Sequence, residues 1–210
     1  MKSAPGARVN PVLLAAFPRH LASITAPVFA ELPETGLAPA RSITSTGSRW
    51  SDPARPPWPE PSVEGEKLLI PYRIYNPEPS EAFLAELDAL ERLLLACLYT
   101  RNHDGFVRQR NLAPLLSSDE PWVIPFIVQL LGEYVIDICE DIAEFTNTTL
   151  RTRKTMRRNF VSFFEHNPEF IALTESRATS YWDCYHRTRH TSCATYPGLT
   201  TLHALCAVSP

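Results

Sequence analysis

The chain has 210 residues, 44% of them apolar, and a formal charge of −3, the balance of a globular protein with no general electrostatic pull toward nucleic acid or anionic lipid. No apolar run approaches the roughly 20 residues of a membrane span. Five cysteines without a CxxC pair fit neither a disulfide scaffold nor a zinc site and point to a reducing, cytoplasmic setting. The weaker alternative is mitochondrial, because no acid precedes Glu31.

The averages conceal two different stretches. Of the 20 prolines, 14 fall in the first 79 residues. Residues 1–66 are neutral, residues 67–79 carry +1, residues 80–186 carry −6 and residues 187–210 carry +2. Residues 1–66 mix Pro, Ala, Ser and Thr without a sustained apolar period. They read as a disordered arm, and Pro53, Pro56 and Pro59 read as a stiff linker in preference to a ligand for an aromatic groove.

Residues 67–79 open with KLLIPYRIYN, branched and aromatic enough to be extended. With no obvious strand to pair with, the segment is expected to lie across helices.

From Ser80 the period becomes helical. Ser80 suits an N-cap, and Phe83, Leu87, Leu90, Leu94 and Cys97 recur on one face of a first helix. Asp104 caps a second that Pro114 should divide. Ser118, Asp119 and Pro121 start a third, expected over about 122–145, whose first half is apolar all round and therefore central. A fourth is expected over 154–165. Asn167–Pro168 opens a fifth that carries Tyr181, Trp182 and Tyr185. The expected fold is all-α: a single compact bundle of about five helices over 80–186, followed by a short flexible tail over 187–210.

Residues 104–116, DGFVRQRNLAPLL, followed by a capped long helix, resemble one HEAT-type helical repeat, a local helix pair. Asn111 stands where that pattern has a small apolar residue, and stable solenoids need about three repeats or more. The resemblance assigns no functional residue.

No Gly-rich phosphate loop, GxSxG or HExxH occurs, so no catalytic residue, metal ligand or cofactor is assigned. Glu133, Asp137 and Asp141 fall at i, i+4 and i+8 and read as a solvated acidic stripe. The basic run Arg151, Arg153, Lys154, Arg157 and Arg158 is expected to neutralise that stripe. Binding nucleic acid through 151–158 is a lesser reading.

Gln129 and Glu133 lie one turn apart beside Gly132, with Arg108 and Arg110 as candidate partners. Together with His103 and Asp104 they form either a buried structural network or the floor and rim of a polar pocket. Tyr181, Trp182 and Tyr185 are the candidate interaction surface if they are exposed. The function expected first is a non-enzymatic helical protein-binding or scaffold domain. A small helical enzyme or ligand-binding domain at His103, Arg108, Arg110, Gln129 and Glu133 is the alternative.

Overall fold

The computed structural model describes residues 11–33 and 59–209. They are mostly helical, as expected of an all-α chain. The remainder of the arm expected over 1–66 lies outside the described residues. The chain divides into two compact units, with the boundary between Asn111 and Leu112 and an excursion of residues 61–65 into the second unit.

In the first unit, part of the expected arm is helical. Pro11–Leu14 (α1) and Ala22–Ala30 (α2) flank a 3-10 turn at Arg19–Leu21. Leu13, Phe17, Leu21, Val28 and Phe29 are buried. The extended segment is fastened to this layer, since Leu69 N–H donates to the Ala15 carbonyl at 2.7 Å. Leu68 and Ile74 are buried. Ile74 forms a parallel bridge with Asn102 and exchanges backbone bonds with Arg101 and His103. That bridge supplies the pairing partner that sequence pattern alone does not reveal.

The expected first helix is two helices, Glu81–Glu86 (α3) and Ala89–Tyr99 (α4), with Leu87 extended between them. Ser80 caps α3 as expected. The restart belongs to Asp88 and Glu91, whose side chains each accept from the other's backbone N–H at 2.8 Å, a full capping box. α2 lies against α4, burying the run Leu94–Tyr99.

Asp104 caps the last helix of this unit, Gly105–Arg110 (α5). That helix ends at Asn111, whose amide turns back to the Val107 carbonyl. The HEAT-like stretch is thus cut at Asn111, not at Pro114. Pro114 sits in the first turn of Leu112–Leu116 (α6), where its missing N–H costs nothing.

The second unit is organised around Ile124–Leu131 (α7), all eight residues of which are buried. Each of its large apolar side chains contributes about 1.5–3 kcal/mol by burial. A 3-10 turn at Pro121–Val123 leads into it. Around it stand α6, Ile136–Asn147 (α8), Lys154–His166 (α9), Pro168–Tyr181 (α10) and Pro197–Cys206 (α11).

The expected helix over 122–145 is therefore two. Gly132 ends α7, and Val135 is extended before α8 begins. A Cβ at Gly132 would sit 3.3 Å from the Thr174 carbonyl. The break and the close approach of α10 thus share one residue. Asn167 does not cap α10. Its Oδ1 accepts from Ser62 N–H at 2.6 Å and its amide donates to the Ser62 and Phe163 carbonyls, fastening the short strand Ser62–Val63 (β1).

The chain then leaves this unit through Glu64 and Gly65, both at positive φ, a conformation glycine takes at no cost. In the first unit it continues as Glu66–Lys67 (β2).

Residues 187–210, expected as a flexible tail, instead carry structure up to Ser209. A 3-10 turn at Cys193–Thr195 leads to α11, where Leu199, Leu202 and Leu205 are buried. α11 runs alongside α8 in the same direction. Gly198 meets Cys139 near the start, and Val208 lies with Thr146 and Leu150 at the end. The apolar residues of 199–205 recur at helical spacing after Pro197, a first-turn signal hidden by the unperiodic residues before it.

Candidate functional site

After Tyr181, α10 widens into a π turn, Trp182–His186. Such turns re-aim side chains and concentrate at functional sites. Tyr181 and Tyr185 lie one turn apart, and Tyr134 reaches them from the segment between α7 and α8. Their ring centroids stand 6.0, 6.1 and 6.5 Å from one another with the rings tilted, within the separations of aromatic pairs in contact. Tyr185 remains 66% exposed and Tyr134 44% exposed.

The trio is held from below by charged and polar groups. Arg177 lies over the Tyr181 ring at 5.5 Å, donates to its hydroxyl at 3.0 Å, and donates from Nε to the Gly132 carbonyl at 3.3 Å. His186 Nε2 donates to the Tyr134 carbonyl at 3.0 Å; a carbonyl can only accept, so the proton sits on Nε2. The same imidazole stacks on Tyr196 at 5.3 Å. Tyr196 is itself buried, and burial raises its hydroxyl pKa. Burial also pushes the neighbouring Cys139 thiol up to about 12, so it stays protonated and inert.

Of the three expected surface residues, Tyr181 and Tyr185 belong to this patch. Trp182 is anchored, its Nε1 donating to the His190 carbonyl at 2.7 Å beneath the Arg187 guanidinium. Tyr134 is the residue that periodicity missed. On an unbroken helix it falls on the apolar face, and only the break at Gly132 turns it outward.

The other expected cluster divides between the units. His103, Asp104, Arg108 and Arg110 belong to the first. His103 stacks on Tyr75, and Asp104 accepts from Phe106 N–H as a helix cap, so the two are not arranged as a base and its orienting acid. Arg108 is fully buried and donates to the carbonyls of Asn102 and His103 at 2.9 and 3.0 Å. Arg110 is exposed and forms a two-pronged pair with Glu78, which raises the arginine's pKa.

Gln129 and Glu133 belong to the second unit and are fully buried. Neither amide atom of Gln129 has a hydrogen-bond partner among the described residues. Glu133 lies beyond the end of α7.

In the basic run Arg153 pairs with Asp119 at 2.7 Å, and on α8 Glu140, next to Asp141 of the acidic stripe, pairs with Arg189 at 2.8 Å. Arg151, Lys154 and Arg158 are exposed and make no ion pair among the described residues. Among those residues no group of three or more His, Cys, Asp or Glu side chains is placed to hold a metal ion, and no helix is long and apolar enough to cross a membrane. No protein-family model, curated protein or solved structure matches the chain.

Proposed function

We propose that this chain is a non-enzymatic helical binding protein that engages a protein partner through Tyr134, Tyr181 and Tyr185. The observation that carries the reading is the exposure of Tyr185 and Tyr134 on a fixed support. Rings held this way lose little side-chain freedom when a partner covers them, and tyrosine is enriched among residues that dominate binding energy. Local cations do not compete for the surface, because Arg187 pairs with Asp183 and Arg189 with Glu140.

The test is selection of displayed peptides against the full chain, followed by titration of the selected peptides into wild type and the double variant Tyr134→Ser/Tyr185→Ser. Selected peptides are expected to bind wild type and to weaken at least tenfold in the double variant, with its melting temperature unchanged. Peptides that bind both proteins equally would place the binding surface elsewhere.

A further inference from the structure

Asp137 lies in the first turn of α8, three residues after Tyr134. It is exposed, and its carboxylate makes no ion pair among the described residues. Glu144 is exposed and likewise without an ion pair there. Seven residues separate the two, so they share one face of the helix, about 10 Å apart.

The cations of this region are already engaged. Arg187 pairs with Asp183 at 2.6 Å and Arg189 with Glu140 at 2.8 Å. Arg177 donates to the Tyr181 hydroxyl and to the Gly132 carbonyl. Negative charge therefore borders the rings on the α8 side.

The rings themselves suit a cation. An aromatic face is electron-rich and attracts a guanidinium lying over it. The fold makes that contact twice here, with Arg177 over Tyr181 at 5.5 Å and Arg187 over Trp182 at 5.2 Å. Tyr185, 66% exposed, offers the most ring area to a further one.

We propose that the partner of the tyrosine surface is a basic protein segment. One arginine lies on the rings of Tyr134 and Tyr185 and against the Asp137 carboxylate, and a second cation is directed toward Glu144. The inference rests on the tyrosines being the binding surface. Arginine fits better than lysine, because a planar guanidinium stacks on a ring while its edge still donates to a carboxylate. In an extended segment about 10 Å spans three residues, so the two cations stand at i and i+3.

The probe is the peptide Gly-Arg-Ala-Gly-Arg-Gly, blocked at both ends and titrated into the ¹⁵N-labelled full chain at 50 mM chloride. Saturable amide shifts at Tyr134, Asp137, Tyr181 and Tyr185 are expected. A version with citrulline, which keeps the shape of arginine without its charge, should bind at least fivefold more weakly, and a lysine version at least twofold. Asp137→Asn and Tyr134→Ser/Tyr185→Ser should each weaken the arginine peptide at least threefold, and Asp137→Glu should retain it. Glu86→Gln, at an exposed acid of the first unit, should change nothing.

Equal binding of the arginine and citrulline peptides, or full affinity in Asp137→Asn, would overturn the inference. Displayed peptides that depend on Tyr134 and Tyr185 but carry no arginine would overturn it alone and leave the tyrosine surface standing. Binding that responds to Asp137→Asn but not to Tyr134→Ser/Tyr185→Ser would overturn both.

Discussion

The two ends of α8 present opposite chemistry on the same frame. At the start, cations are answered: Arg177 by Tyr181 and Gly132, Arg187 by Asp183, Arg189 by Glu140. There the groups left over are aromatic rings. At the end, the apolar side chain of Leu150 is buried and the groups left over are Arg151, Lys154 and Arg158. The two ends thus differ mainly in which component the fold leaves exposed, aromatic rings at one and cations at the other.

α11 belongs to both ends. Just before it, Tyr196 supports His186 beneath the tyrosines; just after it, Ser209 fixes Arg157. The comparison therefore depends on the C-terminal segment being part of the fold.

The largest expected effect is on that shared frame. Leu202 is 1% exposed, and Leu202→Ala should cost about 2–5 kcal/mol, as truncations in a packed core do. In thermal unfolding that appears as a fall of about 2–4 °C per kcal/mol for a chain of this size. A loss under about 0.5 kcal/mol would mean that α11 is not docked.

Gly198→Ala is next. Its Cβ would meet the Tyr196 ring at 2.8 Å and the Leu131 carbonyl at 3.0 Å, so a cost of about 1–3 kcal/mol is expected from overpacking. Because the displaced ring is the one that supports His186, the tyrosine end should be perturbed first, and amide shifts of Tyr134 and Tyr185 should exceed those of Arg151.

Alkaline pH offers a milder probe of the same contact. Cys139 is raised from 9.0 to about 12 in the folded chain. Between these values the unfolded chain releases a proton that the folded one keeps. Stability from this group is therefore complete below pH 9 and declines as pH rises toward 12. Denaturant titrations at pH 8 and pH 10 should show the decline, and Cys139→Ala should reduce it. In the native state Cys184, Cys193 and Cys206 are exposed and should react with a thiol reagent before buried Cys97 and Cys139.

The smallest effects on stability should come from the two surfaces themselves. Tyr185→Ser and Arg151→Met remove exposed groups and should each change stability by less than about 0.5 kcal/mol. Each should shift amide signals only at its own end of α8; a single variant that disturbed both would dissolve the comparison.

The all-α class, the central place of α7 and the positions of α9 and α10 were legible because period and caps agree there. Boundaries inside long apolar runs were not. Leu87 and Gly132 interrupt patterns that stay periodic across the break, and only local devices, the Asp88–Glu91 capping box and the approach of α10 to Gly132, decide where the helix stops. The same break explains why Tyr134 stands beside Tyr181 and Tyr185 although an unbroken helical pattern puts it on the apolar face. α11 was missed because Leu199, Leu202 and Leu205 form a short apolar stripe behind residues rich in Thr, Ser and His. Its helix is stabilised by docking on α8 more than by its own propensity.

Hydrogen exchange of the α11 backbone tests the account most directly. If Leu202–Cys206 are part of the frame that holds both surfaces, their amides should exchange at least 100-fold more slowly than an unstructured chain and in step with Ile142–Thr146 of α8. Exchange at the unstructured rate, with α8 still protected, would show that the segment is a tail after all and that neither surface is built as described.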